Sequence, residues 1–286
     1  QSALLHNQPD DLDRIDLQLG VDADPEAEKQ PENVIPRIEK VVGHSDFKLD
    51  WVSVYTFQCR RLDRFVHDRV IFVGDSAHIV SPFGARGGNG GLQDVDALGW
   101  RLAAVLDGRS PAGLLEDYNT ERVFGADENI LNSARATKFM TPADGVERMF
   151  RDQVLALAAK APFARAWVNS GRLSVPCIYP VKGADDPALP RVSRPGAVAP
   201  DAPIGNGWLI DAVGGQVTVL AIGCSLSPVD GAEIVVPDVT APIRERYLGD
   251  TTSAVYVVRP DQVIAARWPY VDPAAIRKAI ETIWRR

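Results

Sequence analysis

Residues Val70–Gln93 read VIFVGDSAHIVSPFGARGGNGGLQ. An apolar run ends in Gly74-Asp75, a proline stands at position 82, and five glycines fall between 84 and 91. Helix-like spacing follows. Glycine loses more backbone freedom on folding than any other residue. A chain this rich in it needs bare backbone for a reason, and with no evident packing gain the expectation is close approach by a ligand. Strand, glycine loop and helix in that order offer unpaired N–H groups and the positive end of a helix to an anionic or electron-rich group. The phosphate-loop spacing is absent, because no Gly-Lys-Ser/Thr occurs. The dinucleotide pattern G-x-G-x-x-G is only weakly imitated.

Outward from this stretch the chain divides into regions of different pattern. Arg14–Gly20 alternates apolar and polar as a half-buried strand does, and Glu32–Val42 carries helical spacing behind Pro31. Phe47–Cys59 (FKLDWVSVYTFQC) is rich in β-branched and aromatic residues and reads as a long strand. The run VIFVG reads as a strand covered on both faces. Leu92, Val95, Leu98, Leu102 and Val105 predict one apolar helix face ending near Gly108. Ser110-Pro111 predicts a restart of helix, with Leu114, Leu115, Tyr118 and Val123 on its buried side, running to about Met140. A further helix is expected over 143–161. From about Gly171 prolines, glycines and short β-rich runs take over, and Pro273–Trp284 closes with a helix. Strands followed by a terminal helix indicate a separate small α/β domain.

The 286 residues carry a formal net charge of -7, with 45% hydrophobic and 24% charged residues. This is globular composition, and it argues against a nucleic-acid or polybasic membrane surface. No apolar run reaches the ~20 residues that span a bilayer. The opening residues are polar and acidic, unlike a signal peptide, and a cytoplasmic setting is expected. Cys59, Cys177 and Cys224 lie far apart, so buried thiols are expected rather than disulfides or a zinc site. No metal is expected.

The run GDSAH also raises a serine hydrolase, with Ser76 as nucleophile. The four histidines are His6, His44, His67 and His78. None lies beyond residue 78, so the Ser…Asp…His order of α/β hydrolases is impossible. His78 stands too near Ser76 in sequence to complete a triad.

The stretch RVIFVGDSAHIVSPFGARGGNGGLQDVDALGWRLAAVLDG resembles the second flavin motif of the FAD-dependent aromatic hydroxylases, the class A flavoprotein monooxygenases. The matching positions are Gly74, Asp75, His78, Pro82, Gly84, Gly87, Asn89, Asp94, Trp100, Arg101 and Leu102. SVYTFQCRR and NSGRLSVP resemble the branch of 3-(3-hydroxyphenyl)propionate and phenol hydroxylases, which carry a C-terminal thioredoxin-like domain. The resemblance implies an α/β fold in three parts. Residues 1–62 would be the remainder of a substrate-binding β-sheet region. Residues 63–170 would be the C-terminal part of a Rossmann-like FAD-binding domain, and 171–286 a thioredoxin-like domain.

It further implies FAD and NAD(P)H as cofactors, molecular oxygen and a small aromatic substrate as partners, and hydroxylation through a flavin C4a-hydroperoxide. A homodimer is compatible with it. Asp75 would accept from the ribityl chain. Pro82, Gly84, Gly87, Gly88 and Asn89 would lie against the ring, with amides near 88 and 89 meeting its N1–C2=O edge. His78 would hold the loop through a backbone hydrogen bond, Asp94 would serve the helix dipole, Trp100 would be core, and Arg86 would be a loop charge or a neighbour of the cofactors. No side chain is assigned as catalytic. The chain lacks the family's ADP-binding G-x-G-x-x-G and its middle Asp-Gly motif. It also lacks Cys-x-x-Cys in the last region. The expectation is therefore a C-terminal half that by itself binds FAD weakly or not at all. An FAD-dependent dehydrogenase or epoxidase, and a non-catalytic interaction module, remain alternatives.

Overall fold

The computed structural model describes residues 3–20, 22–82, 85–168 and 177–285. The stretch NSGRLSVP (169–176), and with it the boundary expected near 171, lies outside the described residues. Ala3–Gln8 (β1) and Leu12–Leu17 (β2) form an antiparallel hairpin with Leu5 opposite Ile15. Two short helices follow, α1 (Pro25–Glu28) and α2 (Pro31–Val42), each with proline in its first turn. α2 ends on Gly43 at φ 83°, whose N–H returns to the Glu39 carbonyl; a left-handed residue there suits glycine. The long strand expected over Phe47–Cys59 does not form. Residues 46–59 belong to no strand, and Trp51 and Tyr55 are 79% and 75% exposed. β-branched and aromatic residues suit a pleated, half-buried surface, but a ladder needs a neighbour, and no described segment supplies one.

Arg60–Arg61 (β3) pairs with His78–Ile79 (β6), and Val66–His67 (β4) with Val70–Ile71 (β5). The VIFVG strand is therefore two residues long and open to solvent at Val70, not a doubly covered run. A tight 3-10 turn, Gly74–Ser76, links β5 to β6. Four helices follow: α3 (Gly87–Leu106), α4 (Leu114–Met140), α5 (Val146–Lys160) and α6 (Pro162–Val168). α4 begins at Leu114, a turn later than Ser110-Pro111 suggests. α3 packs on α4 in an unexpected orientation. It buries Gly90, Asp94, Ala97, Arg101 and Ala104, while Leu92 and Val95 stand exposed. The sequence shows the apolar stripe, but the face that packs is the polar and small one.

The last region begins with the hairpin of β7 (Pro203–Ile204) and β8 (Gly207–Trp208) and a short helix α7 (Leu209–Ala212). Strands β9 (Thr218–Ile222) and β10 (Glu233–Val235) are parallel, and α8 (Ala241–Ile243) follows. Strands β11 (Ala254–Val258) and β12 (Ile264–Trp268) and helix α9 (Pro273–Trp284) complete it. The sheet order is β10-β9-β11-β12, with β11 antiparallel to both β9 and β12. The parallel pair is joined through residues 223–232 without a helix. One face packs Leu220, Ile222, Tyr256 and Val258 against Leu209, Tyr247 and Leu248. The other packs Val219, Val255 and Val257 against Ile276, Ile280 and Ile283 of α9. Each such fully buried side chain contributes roughly 1.5–3 kcal/mol of transfer free energy. The Asp272 carboxylate accepts from the N–H groups of Ala274 and Ala275 and fixes the start of α9.

The cysteines are free, but Cys59 is exposed and the other two are half-buried, so the expected burial is not uniform. Among the described residues, no helix is long and apolar enough to cross a membrane.

Candidate functional site

The glycine stretch forms the first turn of α3, and the 3-10 turn lies against it. Gly74 adopts φ 57°, a left-handed conformation that favours glycine. A Cβ added at Gly91 would lie 3.3 Å from the Gly74 Cα, so the two backbones meet directly. A Cβ at Gly90 would lie 3.1 Å from Cε1 of His78 and 3.3 Å from Nδ2 of Asn129. These glycines have a packing role, which corrects the expectation that only a ligand requires them. Gly88 is different: a Cβ there would meet no described residue within 4 Å, and at Gly87 only a Val80 methyl at 3.7 Å.

Beneath the turn lies a fully buried ionic group. Asp94 accepts from the Gly74 N–H (2.8 Å), His78 Nε2 (2.7 Å) and Arg122 Nε (2.6 Å). Burial pushes the Asp94 carboxyl up, but the His78 hydrogen bond and the Arg122 charge outweigh it and hold it below the usual carboxylate range. Asp94 is thus a buried lock and not a dipole ornament of the first turn. His78 is structural as expected, though through this carboxylate and a stacked contact with Phe65 (5.7 Å). Arg122 also donates to the Gly90 carbonyl (3.2 Å) and the Tyr179 hydroxyl (2.6 Å). Burial raises the Tyr179 phenol well above its ordinary range, so it stays neutral.

α4 presents a polar face to this whole segment. Asn119 accepts from the N–H groups of Phe65 (2.7 Å) and Val66 (3.3 Å). Tyr118 donates to the Phe72 carbonyl (3.0 Å). Ser133 donates to the Ser81 carbonyl (3.1 Å), and the Ser81 hydroxyl meets Thr137 Oγ1 (2.7 Å). Sequence reasoning marks Leu114, Leu115, Tyr118 and Val123 by their helical spacing and misses Asn119, Ser133 and Thr137. The available signal is polar residues recurring at helical spacing, Asn119, Arg122, Asn129, Ser133 and Thr137. Tyr179 has no local signal.

The candidate site residues are placed as follows. Asp75 is exposed on the 3-10 turn and makes no hydrogen bond or ion pair with a described residue. Pro82 is exposed, and its carbonyl accepts from the Ala85 N–H (3.0 Å). Gly84 lies outside the described residues. Gly87, Gly88 and Asn89 form the first turn of α3, where N–H groups have no intrahelical acceptor. The Asn89 amide turns back to the Ala85 carbonyl (2.7 Å), holding Ala85 at φ 48°. Arg86, just before the helix, is buried and not a solvated loop charge. Among the described residues, an exposed carboxylate, a Gly88 that nothing crowds and first-turn amides without an intrahelical acceptor suit a ligand with both hydroxyls and an electron-rich edge.

Further along, Trp100 and Arg101 sit at a junction with the last region. Trp100 meets Trp284 edge-on (5.6 Å), and the Arg101 guanidinium lies 4.5 Å from the Trp100 ring. Glu121 accepts from Arg101 (2.7 Å) and Arg259 (2.6 and 2.9 Å), and Arg259 also holds Asp261. Trp100 packs against the apolar cluster between the sheet and α9, as expected of a core residue, and it does so at the junction of α3 with the last region.

Residues 14–133 match the FAD binding domain family. The rifampicin monooxygenase of Streptomyces venezuelae is 40% identical over 101 residues, 35% of this chain and 21% of that protein. The 3-(3-hydroxy-phenyl)propionate/3-hydroxycinnamic acid hydroxylase of Comamonas testosteroni is 36% identical over 136 residues, 46% of this chain and 23% of that protein. The chain thus aligns with under a quarter of the length of these two relatives. Among solved structures, the flavin-dependent monooxygenase PieE in complex with FAD and substrate superposes with a TM-score of 0.75 at 19% identity. That match covers 99% of this chain and 59% of PieE, and shows a shared fold.

Proposed function

Residues 14–133 being a segment of the FAD binding domain family, in a chain similar to FAD-dependent aromatic hydroxylases, we propose that this chain supplies the ring-side flavin surface of an aromatic monooxygenase. Asp75 would accept from ribityl hydroxyls. Pro82, Gly84, Gly87, Gly88 and Asn89 would border the ring, and the first-turn amides of α3 would face its pyrimidine edge. When bound, FAD supplies reduction by NAD(P)H and transfer of one oxygen atom from O2 to a phenolic substrate. The chain's own part is to bind, orient and stabilise. A helix N-terminus favours negative charge on the reduced ring by about 0.3–2 kcal/mol. We further read the three-part division at residues 62 and 170, with a thioredoxin-like last part. The β10-β9-β11-β12 order with one parallel pair supports that part. The absence of Cys-x-x-Cys around Cys224 favours a packing role there over a redox one. A cytoplasmic setting belongs to the same reading.

The observation that carries this reading is the open Gly88 first turn beside an Asp75 that no described residue pairs. It is tested by fluorescence titration of the chain with riboflavin and with lumiflavin, which lacks the ribityl tail. Asp75→Ala should weaken riboflavin about tenfold or more and leave lumiflavin unchanged. Gly88→Val should weaken both. Equal riboflavin and lumiflavin affinity in the unaltered chain, or no quenching by the full-length protein that carries it, overturns it. For the protein carrying this chain, isotopically labelled O2 should place label in the product, and unlabelled product would point to a dehydrogenase.

A further inference from the structure

Glu121 and Arg122 are neighbours on α4, yet they serve different networks. Glu121 joins Arg101 of α3 to Arg259, which follows β11. Arg122 joins Asp94 and the Gly90 carbonyl to Tyr179. A single turn of α4 therefore ties α3 to the last region at two points, and of the two only Arg122 reaches the glycine turn. Tyr179 is itself held there. Its N–H donates to the Gly196 carbonyl (3.0 Å), and a Cβ at Gly196 would lie 1.9 Å from the Tyr179 carbonyl oxygen. The segment that follows is equally fixed, since the Gly196 N–H donates to the carbonyl of Ile264 in β12 (2.8 Å). The Arg122 guanidinium spends each of its nitrogens on a separate acceptor, Asp94, Tyr179 and Gly90. A lysine offers one point charge and cannot hold three directions at once.

We propose that Arg122 is a positioning residue through which Tyr179, anchored in the C-terminal region, sets the aim of the ligand-facing amides of α3. The guanidinium fixes the Gly90 carbonyl from one side and Asp94 from the other. Asp94 in turn fixes the Gly74 N–H beside Asp75. The C-terminal region thereby influences ligand affinity without touching the ligand. This rests on the flavin surface described above; Arg122 and Tyr179 are both buried.

A purely structural role would loosen the whole molecule, whereas positioning loosens one turn. The test compares Tyr179→Phe, which removes only the hydroxyl, and Arg122→Lys with Leu220→Ala in the β9 core. Residue-resolved amide exchange is measured on the ligand-free chain, together with riboflavin quenching. Tyr179→Phe should speed exchange at Gly74 and residues 90–94 by about tenfold, with β9 and β11 unchanged. Arg122→Lys should do so more strongly, and riboflavin dissociation constants should rise in parallel. Leu220→Ala should lower the melting temperature and leave Gly74 and 90–94 within about twofold. The proposal is overturned if Tyr179→Phe leaves those amides within about twofold, or if Leu220→Ala opens them equally. If neither the unaltered chain nor the full-length protein that carries it quenches riboflavin, the flavin reading falls, while the exchange pattern still decides whether Arg122 positions the turn.

Discussion

The sheet of residues 218–268 and the underside of the glycine turn, at His78, Gly90 and Asp94, are both buried, but opposite chemistry holds them. In the sheet, β9 and β11 are buried along their full length, and nearly every contact is apolar. Around the turn the apolar cluster is small, with Phe65, Val66, Ala77, Ala97, Tyr118 and Ala126. The closing contacts there are polar and ionic: Asp94 paired with Arg122 and hydrogen-bonded to His78, all shielded from water. Apolar packing is tolerant of small shifts. A carboxylate with three donors at 2.6–2.8 Å is not. The difference suggests that the sheet supplies stability while the turn is built for a defined geometry, at the expense of desolvating ions.

The largest expected effect strikes the ionic side of that contrast. Arg122→Met leaves the buried Asp94 with only His78 and the Gly74 N–H and should cost about 3–5 kcal/mol in urea unfolding. Leu220→Ala, its counterpart in the sheet, should cost about 2–5 kcal/mol through lost transfer energy and a cavity. A loss below about 1 kcal/mol for Arg122→Met would mean that the ionic group is not what holds the turn.

The same contrast explains what can be read in advance. In the last region VTVLAI, EIVV, AVYVV and IAARW each find a partner within the chain, and α9 begins at Pro273 and ends at Trp284 as its spacing predicts. The segment 47–59 has an equally strong β pattern and forms no strand, because propensity describes a side-chain preference and not the presence of a neighbour. For the site, the Gly-Asp and glycine positions are legible. The Arg122–Asp94–His78 group is not, since its members lie 28 and 16 residues apart and meet only when α3 turns its polar face inward. Helical periodicity locates a stripe, and Leu92 and Val95 form one, but periodicity does not say which stripe packs.

Acid should separate the two regions next. The folded Asp94 carboxyl lies below its unfolded value, so its stabilisation is complete above about pH 4 and fades as pH falls through the folded value. Amide protection at Gly74, corrected for intrinsic exchange, should therefore fall on acidification before protection at Val257 in β11. Simultaneous loss would mean that the turn and the sheet open as one unit.

The finest comparison lies inside the glycine turn. Gly90→Ala drives a methyl toward His78 and Asn129, side chains already fixed by the buried network, and should cost about 1–3 kcal/mol. Gly88→Ala meets nothing, and removing a glycine from a helical position should stabilise by up to about 0.5–1 kcal/mol. Two glycines two residues apart would then have opposite signs in thermal unfolding. If both substitutions destabilise, the space beside Gly88 is filled by the protein itself, and the ligand surface lies elsewhere. If Gly88→Ala stabilises the chain while weakening riboflavin, the open side of the turn is kept bare for the ligand and the closed side for Arg122 and its partners.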